Sequence, residues 1–89
     1  MSGQVASGPG AELLLLTRPH CGLCDEFLEE LAHAAPALAR RVRLADVDSR
    51  PDWRERFGLR IPVLLDAAGA VVCEGVLDAA AVAALAAAG

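Results

Sequence analysis

The first apolar segment of the chain lies within residues 11–17, where four consecutive leucines follow Glu12, and it ends at Arg18 and Pro19. A run of this length is typical of a strand that is covered on both faces of a sheet, although a buried helix segment would show the same pattern. Because Pro19 and Gly22 follow at once, the pattern favours a strand that ends in a loop.

From Leu23 onward the apolar residues recur at helical spacing, which predicts a first helix. Its apolar face holds Leu23, Phe27, Leu28, Leu31 and Ala35, and its opposite face holds Asp25, Glu26, Glu29 and Glu30. Acidic residues in the first turns suit the positive end of the helix dipole. Pro36 is expected to break or kink this helix, and the chain is expected to stay helical to about Arg40.

Residues 42–47 alternate between apolar and polar positions, which predicts the second strand. Ser49 and Asp52 fit a capping box, with Ser49 as the N-cap and Asp52 at N3 of a short helix through Phe57. Gly58 is well placed to end that helix in the left-handed conformation.

Residues 61–65 and 70–74 predict two more strands, which are joined by a turn at residues 67–69 and form a β-hairpin. Asp78 is then expected to cap a last, alanine-rich helix that runs to about Ala88. The predicted order is β-α-β-α-β-β-α. A parallel pair followed by a hairpin indicates the α/β class, with a four-stranded mixed sheet and helices on both faces.

The chain has 89 residues, which is enough for one domain. Residues 1–10 are rich in Gly and Ser and predict a disordered tail, so the folded domain is expected over residues 11–89. Hydrophobic residues make up 55% of the chain, but many are alanines that bury little area. The core is therefore expected to come from the larger apolar residues Leu13, Leu14, Leu15, Leu16, Phe27, Leu28, Leu31, Trp53, Phe57, Ile61, Val63, Leu64, Val71, Val72, Val76 and Leu85.

The formal net charge of −4 argues against nucleic-acid binding, because a nucleic-acid binder needs a basic face. No apolar run approaches the roughly 20 residues that span a bilayer. Residues 1–10 also lack the basic and apolar regions of a secretion signal. The chain is therefore expected to be a cytoplasmic monomer without membrane contacts.

Three cysteines in a cytoplasmic chain do not indicate a disulfide framework, which leaves catalysis, metal binding or burial. Cys21 and Cys24 lie at the predicted junction of the first strand and the first helix. A thiol at a helix N-terminus meets unsatisfied backbone N–H groups and the positive end of the dipole, and both favour the thiolate. Arg18, and His20 when protonated, would add positive potential. We therefore expect a redox pair in which Cys21 attacks and Cys24 resolves.

A second signal is Pro62, which opens the third predicted strand. Proline is tolerated at the first residue of a strand, particularly after a cis peptide bond in a tight turn. In a β-α-β-α-β arrangement this position lies near the N-terminus of the first helix. Ile61 is therefore expected to offer backbone groups to an extended substrate beside Cys21.

The stretches T-R-P-H-C-G-L-C and G-L-R-I-P-V-L resemble the thioredoxin superfamily, and most closely its small glutaredoxin-like proteins. The resemblance spans about residues 11 to 88. It implies a thioredoxin-like fold of the glutaredoxin type and a thiol–disulfide oxidoreductase activity in electron transport. The exchange partners would be protein or small-molecule disulfides.

The resemblance also assigns roles to single residues. Arg18 matches the basic residue that glutaredoxins place three positions before the first cysteine, and Ile61-Pro62 matches their cis-proline. Gly75 and Asp78 match part of the segment with which glutaredoxins bind glutathione, so both are candidate substrate-binding residues. Glutathione is then a candidate electron donor beside a donor of the thioredoxin-reductase type, and no bound cofactor or metal is expected. Gly and Leu stand between the cysteines where glutaredoxins usually carry Pro and Tyr.

Other interpretations of the cysteine pair stay open. A structural zinc site would draw on His20, Cys21, Cys24 and either His33 or Cys73, because zinc takes about four ligands. A non-catalytic binding module could instead bind glutathione, or share an iron–sulfur cluster between two subunits through the first cysteine and glutathione.

Four residues outside the cysteine pair have simpler expectations. Cys73 is expected to be a buried, small hydrophobic residue, and His33 to lie on the surface. Asp46 and Asp48 end a predicted strand, where a role in the turn or at the start of the next helix is favoured over proton acceptance from Cys24.

Overall fold

The computed structural model describes residues 12–88, and their helices and strands follow the predicted order. The predicted tail over residues 1–10 lies outside the described residues. The elements are β1 (Leu13–Thr17), α1 (Gly22–Ala34), α2 (Pro36–Ala39), β2 (Val42–Asp46), a 3₁₀ helix (Val47–Ser49), α3 (Pro51–Phe57), β3 (Val63–Leu65), β4 (Val71–Glu74) and α4 (Ala79–Ala88). Pro36 separates α1 from α2, as expected. In this part of the chain no helix is both long and apolar enough to cross a bilayer.

The four strands form one mixed sheet in the order β2-β1-β3-β4. β1 pairs in parallel with β2, and β3 pairs antiparallel with both β1 and β4. The register pairs Thr17 with Asp46, and it pairs Val63 with both Leu16 and Glu74. The C-terminal ends of β1, β2 and β4 and the first residue of β3 therefore share one edge of the sheet. We call this edge the top edge.

Helices cover both faces of the sheet, because apolar side chains point alternately to the two faces along the inner strands. On one face Leu13 and Leu15 pack in a cluster with buried residues of α1, α2 and α4, namely Phe27, Leu31, Leu38 and Val82, and with Leu64 and Cys73 of the sheet. On the other face Leu16 packs with Val47, Phe57, Val63 and Leu65, against which Trp53 and Ile61 lie partly buried. α3 covers this second cluster.

α3 ends at Phe57, as predicted, but both of its predicted caps are wrong. Its N-cap is Arg50 rather than Ser49, and no side chain caps it. The Ser49 hydroxyl is used elsewhere, because it donates to the Asp46 carbonyl oxygen at 2.6 Å and closes the 3₁₀ helix. Gly58 has φ −56°, which is the right-handed region. The position favours glycine because of a close approach: a Cβ there would lie 2.5 Å from the Arg54 carbonyl oxygen.

Two of the predicted core valines are exposed. Val71 has 41% of its surface exposed because it lies on β4, an outer strand, and Val76 has 72% exposed because it lies beyond that strand. All four strands are also shorter than predicted, since β1 begins at Leu13, β2 ends at Asp46, β3 begins at Val63 and β4 begins at Val71. Val47, predicted as the last residue of the second strand, begins the 3₁₀ helix instead.

Candidate active site

Cys21 and Cys24 form a disulfide across the first turn of α1, with their Cα atoms 5.2 Å apart. Cys21 is the N-cap of the helix, in the extended conformation that an N-cap adopts. Its sulfur replaces the usual capping oxygen, since the backbone N–H of Cys24 donates to Cys21 Sγ at 3.2 Å. The cysteine pair is thus also the start of the helix.

The two sulfurs differ in their access to solvent. Cys24 is only 2% exposed because it shares the buried face of α1 with Phe27 and Leu31, three and seven positions further on. Cys21 is only partly buried and precedes the helix. An external sulfur can therefore reach Cys21 but not Cys24, as required of an attacking and a resolving thiol.

The register of the sheet places three of the predicted substrate-binding residues, Ile61, Pro62 and Gly75, at the top edge. The Ile61–Pro62 peptide bond is cis, and Pro62 is buried just ahead of β3. Its carbonyl oxygen accepts a hydrogen bond of 2.8 Å from the backbone N–H of Gly75, which follows β4. Gly75 has φ +78°, a conformation that glycine adopts readily. Ile61, Pro62 and Gly75 thus form one connected group at this edge.

Asp78 caps α4, as the sequence predicts. One of its carboxylate oxygens accepts hydrogen bonds of 3.1 Å from the backbone N–H groups of Ala80 and Ala81. The same carboxylate was expected to contact glutathione, and this second role stays a prediction.

Arg18 binds two other segments of the chain. Its Nε and Nη2 donate to the two carboxylate oxygens of Asp48 at 2.8 and 2.9 Å, and its Nη1 donates to the Gly58 carbonyl oxygen at 3.1 Å. The hydrogen bond to Asp48 raises the pKa of Arg18, and the same bond lowers the pKa of Asp48. Asp48 also lies 3.6 Å from Nε of Arg54. Thiolate tuning by the Arg18 charge stays a prediction, and Asp48 compensates much of that charge.

This ion pair is not among the predictions from the sequence, although the sequence holds a signal for it. β1 and β2 were expected to be parallel, so their C-terminal ends meet at one edge of the sheet. Arg18 follows β1 directly, and Asp48 follows β2 by two residues. The sequence predicts a role in the turn for both Asp46 and Asp48. That role belongs to the Asp46 carboxylate, which accepts a hydrogen bond of 2.8 Å from the Asp48 backbone N–H.

The Arg18–Asp48 pair predicts a specific change in acid stability. Because the pKa of Asp48 is lower in the folded chain, the pair contributes stability above the ordinary aspartate pKa of about 3.9. That contribution is lost as the pH falls through the lowered pKa that Asp48 has in the folded chain. In Asp48→Asn this loss is absent, so stability should fall less steeply than in the wild type below about pH 4. Urea unfolding followed by circular dichroism across this range measures the two slopes.

High salt is the control for this experiment, because both side chains are 38% exposed and salt screens such pairs. At about 1 M salt the slopes of wild type and variant should converge. Equal slopes at low salt would show that the pair does not contribute to acid stability.

His20, Cys73 and His33 complete the set of candidate residues. His20 is exposed and has φ +63°, a left-handed conformation in the turn before Cys21, and its effect on the thiolate stays a prediction. Cys73 is buried, as expected, and burial raises its pKa. His33 is exposed, as expected. Within residues 12–88, no three His, Cys, Asp or Glu side chains come together in a group that could hold a metal ion.

A mixed sheet in the order β2-β1-β3-β4, a cysteine pair at the start of α1 and a cis-proline before β3 define the thioredoxin-like fold. The chain belongs to the glutaredoxin-like domain family (DUF836), whose family model matches residues 12–86. This family was the one that the two sequence motifs resembled.

The solved structures that are similar to the chain include one from X. campestris and one from Nitrosomonas europaea. The X-ray structure of a structural genomics target protein from X. campestris is 32% identical, with a TM-score of 0.65, and the match covers 86% of this chain and 97% of that one. The solution NMR structure of a protein from Nitrosomonas europaea has a TM-score of 0.75 and covers 96% of this chain and 98% of that one. At 22% identity the second match supports the fold alone. No protein of curated function matches the sequence significantly.

Proposed function

We propose that the protein is a thiol–disulfide oxidoreductase that uses Cys21 as the nucleophile and Cys24 as the resolving thiol. The observation that carries the proposal is the disulfide at the N-terminus of α1, in which Cys21 is accessible and Cys24 is buried. Membership of the glutaredoxin-like family supports it.

The start of α1 favours a thiolate at Cys21 once the pair is reduced. The backbone N–H of Cys24 already points at Cys21 Sγ, and the positive end of the dipole of α1 lies at the same place. A thiolate accepts such a hydrogen bond more strongly than a thiol does. The helix therefore supplies negative-charge stabilisation at the attacking sulfur.

The reaction proceeds by two exchanges. The Cys21 thiolate attacks one sulfur of a substrate disulfide, so that a Cys21–substrate bond forms, the substrate S–S bond breaks and one substrate thiolate leaves. Cys24 loses its proton and attacks Cys21 Sγ, which forms the Cys21–Cys24 disulfide and releases the second substrate thiolate. The substrate gains two electrons and two protons, and the protein dithiol loses them. Two glutathione molecules, which leave as glutathione disulfide, or one protein dithiol, which becomes a disulfide, supply the two electrons and two protons that restore the reduced pair.

Ile61, Pro62 and Gly75 are proposed to hold the substrate next to Cys21, because the register brings them to the edge of the sheet where α1 starts. An extended substrate segment would bind there through backbone hydrogen bonds. Protein and small-molecule disulfides are both proposed substrates.

The stoichiometry of exchange with dipyridyl disulfide tests the proposal. Reduced, desalted protein should release about two equivalents of pyridine thione per chain and end with a Cys21–Cys24 disulfide, which peptide mapping identifies. Cys73→Ala is the matched control and should release the same amount, because Cys73 is buried and its pKa is raised. Release that depends on Cys73, or a stable pyridyl adduct on Cys21, would contradict the dithiol mechanism.

The alternative is a module that binds an iron–sulfur cluster through Cys21 and glutathione. The bond between Cys21 and Cys24 favours exchange, since it commits the Cys21 sulfur to a partner in the same chain. Visible absorbance of anaerobically purified protein, lost on oxidation, would support the cluster instead.

A further inference from the structure

Arg18 connects three segments that are far apart in the sequence. Its partners Asp48 and Gly58 lie 30 and 40 positions away, beyond β2 and before β3. All three guanidinium nitrogens donate hydrogen bonds in this arrangement. Arg18, Asp48 and Gly58 together are called the Arg18 clamp.

The Arg18 clamp lies between the two halves of the proposed active site. Arg18 precedes Cys21 by three positions, and Gly58 precedes Ile61 by three positions. The loop that carries the nucleophile and the loop that carries the substrate-binding Ile61 and Pro62 are therefore joined through one side chain. Asp48 anchors that side chain to the end of β2.

The chemistry of the clamp requires arginine geometry rather than positive charge alone. The planar guanidinium reaches both carboxylate oxygens of Asp48 and still has Nη1 for the Gly58 carbonyl oxygen. A lysine would bring the same charge, but it presents a single ammonium in place of this fork. Because Asp48 compensates the charge, Arg18 is better placed to hold the loops than to act on the thiolate by its field.

We propose that Arg18 is a positioning residue, which acts through Asp48 and Gly58 to hold the Cys21 loop in register with the Ile61–Pro62 loop for bound polypeptide disulfides. The inference rests on the proposed function. A polypeptide substrate must contact both loops at once, so its exchange depends on their relative position. A small disulfide needs only the exposed sulfur of Cys21.

Two variants separate the clamp from direct thiolate tuning. Arg18→Lys keeps the charge and removes the fork, whereas Asp48→Asn leaves the charge of Arg18 in place and uncompensated. If the clamp operates, both variants should slow exchange with a disulfide-bonded peptide by about 10- to 100-fold, as expected for a small misplacement of reacting groups. Exchange with dipyridyl disulfide and the pH midpoint of Cys21 alkylation should change little.

The control variant is Asp52→Asn, which breaks another two-bond arginine–aspartate pair, between Arg50 and Asp52, in the neighbouring segment. It should exchange with both disulfides at the wild-type rate. Circular dichroism confirms that each variant is folded before its rates are compared.

The result that overturns the clamp is a peptide-exchange rate in Arg18→Lys and Asp48→Asn equal to that of the wild type. The clamp would also be overturned if the pH midpoint of Cys21 alkylation fell in Asp48→Asn and stayed at the wild-type value in Arg18→Lys. That pair of results is expected when the Arg18 charge acts directly on the thiolate. In both cases the proposed function would stand. It fails on a different observation, namely wild-type protein that does not exchange with dipyridyl disulfide.

Discussion

Replacing Cys21 with serine is expected to lower the rate of disulfide exchange by at least about three orders of magnitude. The serine hydroxyl is not ionised at neutral pH, so the attacking anion is lost although the capping hydrogen bond can be kept. Stopped-flow release of pyridine thione from dipyridyl disulfide measures the rate.

Cys24→Ser provides the contrast, because it removes the resolving thiol and leaves the accessible one. This variant should release about one equivalent of pyridine thione and keep the other half of the reagent as a mixed disulfide on Cys21, visible by mass spectrometry. If Cys21→Ser exchanged as fast as Cys24→Ser, the assignment of nucleophile and resolving thiol would be wrong.

The largest loss of stability is expected on replacing Phe27 with alanine. Phe27 is 1% exposed and lies in the core cluster under α1. Removing its ring takes away buried apolar surface and leaves a cavity, which costs about 3–5 kcal/mol. Native domains have roughly 5–15 kcal/mol of stability in total, so the variant should lose a large share of its stability. Urea or thermal unfolding followed by circular dichroism measures the change.

Leu23→Ala is the matched control on the same helix. Leu23 is 54% exposed, and leucine and alanine are both good helix formers. The free energy of unfolding should change by less than about 0.5 kcal/mol. An equal loss in the two variants would mean that the buried face of α1 is not the one that Phe27 occupies.

The order of the elements could be predicted from the sequence because each helix or strand is indicated by the spacing of its own apolar residues and by the prolines that end it. The run before Arg18, the helical period from Leu23 and the break at Pro36 each carry their own signal, and each is confirmed. The cysteine pair and Pro62 were also recognised, because few folds place a C-x-x-C before a helix and an Ile-Pro before a strand.

The errors concern positions where residue type alone does not decide which partner a group takes. Serine is a common N-cap residue, but the hydroxyl of Ser49 donates its hydrogen bond to the carbonyl oxygen of Asp46, one turn back. Glycine commonly ends a helix in the left-handed conformation, but Gly58 is favoured for another reason, because a Cβ at this position would lie too close to a backbone carbonyl oxygen. Asp48 finds its partner in Arg18, which directly follows a different strand. The Ser49 and Gly58 contacts lie within one turn of the chain, where several partners compete, whereas the Asp48 contact requires the alignment of β1 with β2.

The strand order has a consequence for self-association. Within residues 12–88, β2 and β4 are the outer strands, and each has one edge that pairs with no other strand of this part of the chain. β2 carries Arg43, which pairs with Glu12 at 3.5 Å, and the ladder between β3 and β4 shifts register at Leu64 and Leu65. Charged residues and irregular pairing at edges oppose uncontrolled sheet extension. The chain can therefore keep two open edges on a small sheet without favouring growth into fibrils.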